Sequence, residues 1–343
     1  MAREHRSRVM HSQQLISVVI PAYNEEACVD ELARRLREVA DGPARAYAFE
    51  FIIVENGSND ATYERLLAIN RADRRFKIMR LSRNFGMEGA VIAGMRRASG
   101  DALVIMCADL QDPPELIPTF IEKWREGFEN VYGMILDRTD ESPVRRFMTR
   151  GFYYLINRMV QHAVPENVSD FRLVDKSMYE VMNRLEEKNR MLRAMWGWIG
   201  FRSTAVAYVR PPRFGGKSTY QLWRNIGFAL HAIASSTIVP LKVIPAAGAL
   251  FSAMSFVTLA ILIGRWLFLG VPFPGFGTIV ALMLLCFGLL FLFLGIISEY
   301  VGIIFDEVRR RPHFVIDREV GFGVSKPQAS GIEDVRAVSS RAL

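Results

Sequence analysis

The chain has 343 residues and a formal net charge of +7. Half of its residues are hydrophobic, so the chain is not too polar to bury a core. The three cysteines, Cys28, Cys107 and Cys286, are scattered and odd in number. Neither a disulfide framework nor a zinc site is therefore predicted, in keeping with a reducing cytoplasm. The length allows one domain of about 200–240 residues together with additional segments.

The first third of the chain alternates between predicted strands and predicted helices. Residues 1–14 are polar and basic, and we expect a disordered arm there. Strands are predicted at 15–20, 49–54, 77–81 and 102–107, with helices between them at 26–40, 59–70 and 86–99. This alternation predicts an α/β fold with a mostly parallel sheet and helices on both faces.

Polar residues collect where three of the predicted strands end. They are Tyr23, Asn24 and Glu25 after the first strand, Glu55 and Asn56 after the second, and Asp109, Gln111 and Asp112 after the fourth. Ligands in such sheets bind at the carboxyl ends of the strands. The three clusters together therefore predict a binding site at that edge of the sheet.

The last of these clusters has the character of a metal site. Asp109 and Gln111 offer two hard oxygen ligands two residues apart. Such ligands suit Mg²⁺ or Mn²⁺ bridging a diphosphate. The same stretch also fits a turn before a helix, with Asp112 as the cap and Pro113 at the first helical position. The two interpretations are compatible.

Two uncharged apolar stretches lie near the C-terminus, at 246–263 and 279–298, joined by an uncharged turn at 271–277. Each is long enough to cross a hydrocarbon core of roughly 30 Å. We expect two transmembrane helices within 240–305, at about 243–269 and 276–302. Residues 219–239 are predicted to form an amphipathic helix in the membrane interface, with an ordinary packed helix as the alternative.

Basic residues flank the apolar stretches, and the turn between the stretches has none. The flanking residues are Arg210, Arg213, Lys217, Arg224 and Lys242 on one side, and Arg309, Arg310 and Arg311 on the other. By the positive-inside rule, the domain at 15–218 and both termini, including a tail at 306–343, are expected on the cytoplasmic face. These basic residues either attract anionic lipid headgroups or serve only as flanks that stop the passage of the chain through the membrane. We expect a membrane substrate and no nucleic acid partner.

Four stretches occur in order along the first half of the chain: VIPAYNEE at 19–26, VENGS at 54–58, NFG at 84–86 and ADLQDPPE at 108–115. Together they resemble the family 2 inverting glycosyltransferases of the GT-A fold. SDFRL at 169–173, RFGGKSTY at 213–220 and the apolar hairpin narrow the resemblance. With them the chain is similar to the polyprenyl-phosphate glycosyltransferases, which include dolichol-phosphate mannose synthase and the bactoprenol glucosyltransferases.

The resemblance implies a reaction. A nucleotide-sugar, with a UDP-sugar favoured over GDP-mannose, donates its sugar with inversion to a membrane polyprenyl phosphate. In a bacterium the acceptor would be undecaprenyl phosphate and the membrane the inner membrane, and the product would serve cell-envelope glycan or lipid modification. The family also implies a homo-oligomer and a Mg²⁺ or Mn²⁺ cofactor.

The resemblance further implies roles for individual residues. The residues expected to bind the nucleotide-sugar are Pro21, Tyr23, Glu25, Glu55, Asn56, Ser58, Cys107, Ala108, Asp109 and Gln111, with Asp109 and Gln111 as metal ligands. Those expected to bind phosphate or the acceptor are Arg150, Arg172, Arg213, Lys217 and Ser218. Asp170 matches the catalytic acidic residue. Because the acceptor is already an anion, we favour positioning and charge over proton abstraction for Asp170.

The chain departs from the family at two places. Cys107 stands where an aspartate is common, and a thiol is a poor ligand for Mg²⁺. Glu55 and Asn56 replace the usual pair of aspartates.

Two other functions are possible alternatives: a processive polysaccharide synthase, and a non-catalytic membrane scaffold. The first normally carries a Gln-x-x-Arg-Trp signature, which this chain lacks, and the second would neither transfer nor hydrolyse a donor.

Overall fold

The computed structural model describes residues 13–136, 167–185, 192–212, 239–269, 275–309 and 311–323. Several expectations fall outside these ranges: nearly all of the N-terminal arm, the chain beyond 323, most of the proposed interfacial helix, and the side chains of Arg150, Arg213, Lys217 and Ser218. Their roles stay predictions.

One eight-stranded sheet organises the described part of the chain. Its strands are β1 Leu15–Ala22, β2 Ala48–Glu55, β3 Phe76–Leu81, β4 Ala102–Ile105, β5 Asn130–Ile135, β6 Val168–Asp175, β7 Ser203–Tyr208 and β8 Ile316–Val320. They lie in the order β7-β5-β6-β4-β1-β2-β3-β8.

The centre of the sheet is parallel, as the sequence predicts. Strands β3, β2, β1 and β4 run in one direction, and β5 and β7 run parallel to each other. Antiparallel pairs join β6 to β4 and β5, and join β8 to β3. The central strands read as near-continuous apolar runs because both of their faces are buried. The fold is therefore α/β of the GT-A kind.

Helices cover both faces of the sheet. They are α1 Val29–Asp41, α2 Thr62–Ala72, α3 Gly86–Arg97, α4 Ile117–Arg125, α5 Lys176–Arg184 and α6 Leu192–Trp198. Residues of α1, α2 and α4 share one apolar core with Val18 and Ile20 of β1. Residues of α3, α5 and α6 share a second core with the intervening Val19. The alternation of neighbouring residues between two cores follows from the two-residue period of a strand.

Two long apolar helices follow, α7 Val239–Leu269 and α8 Phe276–Val308. Within them, Ile244–Arg265 and Leu285–Val308 are long and apolar enough to cross a membrane, with mean hydropathies of 2.1 and 2.2. Neither span is buried inside the molecule. By length and composition, both segments fit membrane spans. Helix α8 extends six residues beyond the end expected near residue 302.

The segment after α8 returns to the sheet, which the sequence analysis did not predict. Strand β8 pairs with β3, and Arg97 of α3 holds Glu319 through two hydrogen bonds of 2.8 Å. Phe314, just before β8, is buried in the core beneath α3. The expected tail therefore contributes a strand to the same sheet as residues 15–208.

Candidate active site

The polar clusters predicted from the sequence lie along one edge of the sheet, where β1, β2 and β4 end; we call it the carboxyl edge. Because β4 lies beside β1, and β1 beside β2, the three clusters are neighbours. Strand β6 runs in the opposite direction to β4, so its first residues, including Ser169 and Asp170, lie at the same edge. Strand β7 also ends there.

The loops after β1 and β2 form one unit. The backbone N–H of Asn24 donates to Ser58 Oγ at 3.0 Å, and the N–H of Asn59 donates to Asn24 Oδ1 at 2.9 Å. The N–H of Glu25 donates to Thr62 Oγ1 at 2.9 Å. Asn24 has a φ of 56°, a conformation that asparagine tolerates better than most residues. Beside it the side chain of Tyr23 is exposed, and its predicted contact with a nucleotide stays a prediction.

Glu55 is fully buried at the end of β2. Its Oε1 accepts a hydrogen bond from the backbone N–H of Ser58. Its Oε2 lies 3.1 Å from Arg80 Nε, an ion pair that lacks hydrogen-bond alignment. The structure therefore gives Glu55 a role in holding the turn at Gly57 and Ser58. The predicted contact with the nucleotide base stays a prediction.

Asn56 is 3% exposed and organises the loop after β3. Its Nδ2 donates to Asn84 Oδ1 at 3.2 Å and to the carbonyl of Gly86 at 3.0 Å. Its Oδ1 accepts from the N–H of Phe85 at 2.9 Å. These contacts use both N–H groups of the amide and one acceptor position of its oxygen inside the protein. Asn56 therefore shapes the wall of the expected nucleotide site by holding the loop after β3.

The loop after β4 holds the predicted metal ligands in a tight turn. Asp109 Oδ1 accepts from the N–H of Gln111 at 3.2 Å, and Leu110 between them has a φ of 61°. Asp109 and Ala108 are buried, whereas Gln111 and Cys107 are half-buried. A buried leucine in the left-handed region costs of order 1–2 kcal/mol, so the surrounding contacts must impose this turn.

Asp112 does not cap a helix, and in this respect the sequence prediction is wrong. Pro113 occupies the N-cap position of a 3₁₀ turn, Pro114–Leu116, without any capping side chain. The carboxylate of Asp112 instead points back into the protein, where it accepts from the N–H of Cys107 and the hydroxyl of Tyr208, each at 3.0 Å. Buried donors at these positions outcompete the helix end for the carboxylate.

Three carboxylates of the edge act together on the thiol of Cys107. Burial raises the pKa of the Cys107 thiol well above its usual value, and the carboxylates of Asp112, Asp109 and Asp170 raise it further, while Arg210 opposes them. Cys107 therefore stays a neutral thiol at neutral pH. Among the described residues, no group of three or more His, Cys, Asp or Glu side chains is arranged to hold a metal ion by itself.

Arg172, expected to hold the acceptor phosphate, lies deeper than that role suggests. It is 3% exposed, donates from Nη2 to the Ser169 carbonyl at 3.3 Å, and lies over the ring of Trp196 with its guanidinium carbon 5.3 Å from the ring centroid. Contact with a lipid phosphate would require the guanidinium to leave this position. Asp170, two residues earlier, is only half-buried at the edge.

Sequence reasoning missed Tyr208 as part of the site. Its hydroxyl reaches Asp112, and burial together with that carboxylate raises its pKa. Its ring is 5% exposed and meets the ring of Phe171 edge-on. The only signal available was an aromatic residue at the end of an outer strand, which by itself predicts no role.

Comparison with known proteins identifies the family. Residues 17–182 match the family model described as glycosyl transferase family 2. The glycosyltransferase YkcC of Bacillus subtilis is 39% identical over 89% of this chain and 94% of its own length. The bactoprenol glucosyl transferase of Shigella phage SfII is 33% identical over 88% of this chain and 97% of its own length.

A solved structure, glucosyl-3-phosphoglycerate synthase from Mycobacterium tuberculosis in complex with Mn²⁺, UDP-glucose and phosphoglyceric acid, is 19% identical. The alignment covers 64% of this chain and 78% of that one, with a TM-score of 0.42. The sequence relatives extend over nearly the whole chain, including the apolar helices. The chain therefore belongs to glycosyltransferase family 2 and is a glycosyltransferase.

Proposed function

We propose that the protein transfers a sugar from a UDP-sugar to a polyprenyl phosphate held in the membrane, with inversion at the anomeric carbon. A phosphate oxygen of the acceptor forms a bond to the anomeric carbon as the bond from that carbon to the donor diphosphate breaks. The nucleoside diphosphate leaves with the electron pair. The acceptor oxygen carries no proton to remove, so the site must supply orientation and charge rather than a strong base.

The observation that carries the proposal is where the sheet connects to the apolar helices. Strand β7 ends at the carboxyl edge, and the chain continues from there toward α7. Strand β8 begins at the same edge, since Ile316 pairs with Leu81 at the end of β3. The strand before the hairpin therefore ends, and the strand after it begins, on the side that carries the candidate site.

The return connection is short. Helix α8 ends at Val308 and strand β8 begins at Ile316. Fully extended, the backbone between these two residues spans at most about 28 Å. The last turn of α8 thus lies within that distance of the carboxyl edge. A water-soluble donor and a lipid phosphate at headgroup level can meet at an edge held this close to the membrane. The name of the phage relative, a bactoprenol glucosyl transferase, supports a lipid acceptor.

The donor side fits a divalent cation. Asp109 supplies a hard carboxylate oxygen, and Gln111 supplies an amide oxygen in the same turn. Mg²⁺ commonly binds through one or two carboxylates and the phosphates of its substrate, so a site without three protein ligands is compatible with it. Bound Mg²⁺ or Mn²⁺ would neutralise charge on the leaving diphosphate. The neutral thiol of Cys107 adds no ligand of the right kind.

The acceptor side is assigned to Asp170 and the segment after β7. Asp170 lies at the start of β6, close enough to the loop after β4 for its charge to act on Cys107. We assign it the role of orienting the acceptor. The exposed guanidinium of Arg210 acts on the same thiol with opposite sign and offers a positive charge for phosphate. Arg150, Arg213, Lys217 and Ser218 remain predicted phosphate ligands.

The proposed topology follows the same connections. Strands from before and after the hairpin share one sheet, so both flanks of the hairpin lie on one side of the membrane. The excess of Lys and Arg on those flanks assigns that side to the cytoplasm. We further propose a homo-oligomer, as the family resemblance implies.

A donor panel tests the function. Purified full-length protein is incubated with undecaprenyl phosphate and labelled UDP- and GDP-sugars, with and without Mg²⁺, and label is measured in the lipid extract. We expect label from a UDP-sugar, and none with Asp109→Asn. Lipids carrying several sugars would favour the processive synthase. A protein that neither transfers nor hydrolyses any donor would favour the scaffold.

A further inference from the structure

Asp112 has no assigned role in the transfer, yet its buried carboxylate accepts three hydrogen bonds at the carboxyl edge. It is 1% exposed. Oδ2 accepts from the backbone N–H of Cys107 at 3.0 Å. Oδ1 accepts from the Tyr208 hydroxyl at 3.0 Å and from the Ser169 hydroxyl at 3.4 Å. These donors come from three separate elements: the loop after β4, the end of β7 and the start of β6.

Two of the three donors, Cys107 and Ser169, stand beside a group that the proposed reaction uses. Cys107 opens the turn that contains Asp109, so its bond to Asp112 closes that turn at the base. Ser169 immediately precedes Asp170, and its hydroxyl also accepts from the N–H of Phe171 at 3.2 Å. The bond to Ser169 therefore attaches the start of β6 to the donor loop.

We propose that Asp112 is a positioning residue that fixes the donor loop relative to the acceptor-side residue Asp170; this inference rests on the proposed function. Two carboxylate oxygens accept three donors from elements far apart in the chain. The pairing between β4 and β6 runs only as far as Ile105 and Arg172, so the loop after β4 and the start of β6 lie beyond its last pair. The carboxylate replaces the missing ladder between them.

The alternative explanation is that Asp112 merely stabilises the fold. Asp175 offers a matched control, since it lies at the opposite end of β6. It too accepts three hydrogen bonds, from the N–H and hydroxyl of Ser177 at 2.8 and 2.6 Å and from Trp124 Nε1 at 2.9 Å. A purely structural role predicts that replacing either aspartate has similar effects on turnover. A positioning role predicts that they differ.

The test uses full-length protein in detergent with UDP-sugar and undecaprenyl phosphate. Asp112→Ala, Tyr208→Phe and Asp175→Ala are compared for melting temperature, UDP affinity, KM for the lipid and kcat. Tyr208→Phe removes one hydrogen bond and leaves the donor turn closed. We expect UDP affinity to stay within about twofold of the native value and kcat to fall about tenfold, the effect of about 1.4 kcal/mol on the barrier.

Asp112→Ala is expected to lower kcat further, and to speed hydrogen exchange at residues 106–112. Asp175→Ala is expected to lower the melting temperature while kcat stays within about threefold. If Asp112→Ala does not fold, Tyr208→Phe and Ser169→Ala decide the question.

The proposal would be overturned if Asp112→Ala and Tyr208→Phe fold and have the kcat of the native protein. It would also be overturned if Asp175→Ala lowers kcat as much as Asp112→Ala does. Absence of product from the native protein is a separate result. It would overturn the proposed function, and with it any catalytic role for Asp112.

Discussion

Replacing Asn56 by alanine is expected to loosen the wall of the nucleotide site. The side chain makes three hydrogen bonds to residues 84–86 and is almost fully buried. Each such bond is worth about 0.5–1.5 kcal/mol, so the loss should total about 2–4 kcal/mol. For a domain of this size that corresponds to a fall in melting temperature of about 5–15 °C. UDP affinity should fall as well, because the loop after β3 loses its anchor.

The assay is thermal unfolding of the full-length protein in detergent, with and without UDP. Asn59→Ala is the control, because Asn59 is exposed in the same loop region and its hydrogen bond to Asn24 comes from its backbone N–H, which alanine keeps. We expect the melting temperature of Asn59→Ala to equal that of the native protein. A melting temperature for Asn56→Ala within 2 °C of native, a margin of about 1 kcal/mol, would refute the reasoning.

Three further predictions follow from particular contacts. Burial raises the pKa of Glu50, but hydrogen bonds from Lys77, Ser17 and Ser99 outweigh it and leave the pKa below its ordinary 4.5. The stability that Glu50 contributes is therefore present above pH 4.5 and lost as the pH falls below it, so Glu50→Gln should flatten the acid limb of a pH–stability curve. An unchanged limb would contradict this. Inserting about 12 Gly and Ser residues after Arg309 should lower transfer to lipid and leave UDP affinity native, because the return connection no longer holds the edge near the membrane; undiminished transfer would contradict this. Cys107→Asp should preserve activity or lower the Mg²⁺ concentration required, as measured by metal titration of turnover. Loss of activity with the fold intact would show that the pocket is built around the thiol.

Much of the fold could be predicted because its signals are local. Strands β1 to β4 are short apolar runs that end in polar residues, and their alternation with helices determines a parallel sheet. Strand β8 gave no such signal. Its sequence, IDREV, has three charged residues in a row, and it is recognised only through pairing with β3 and the distant contact between Glu319 and Arg97.

The site was predictable in position but not in the direction of its side chains. The polar residues after β1, β2 and β4 were expected at one edge, and they lie there. Which of them face inward depends on partners remote in sequence. Glu55 turns toward Arg80, and Asp112 turns toward Tyr208, 96 residues away. Local pattern favoured a helix cap for Asp112, and buried long-range hydrogen bonds prevailed.

The central claim is that one sugar passes from a nucleotide to a polyprenyl phosphate at the carboxyl edge of this sheet. Mass spectrometry of the lipid formed by the native protein from UDP-sugar and undecaprenyl phosphate tests it most directly, with Asp109→Asn as the inactive control. The account predicts a single new species, the polyprenyl phosphate with one sugar attached, formed by the native protein alone. Free sugar released to water with the lipid unchanged, or the same product from Asp109→Asn, would contradict it.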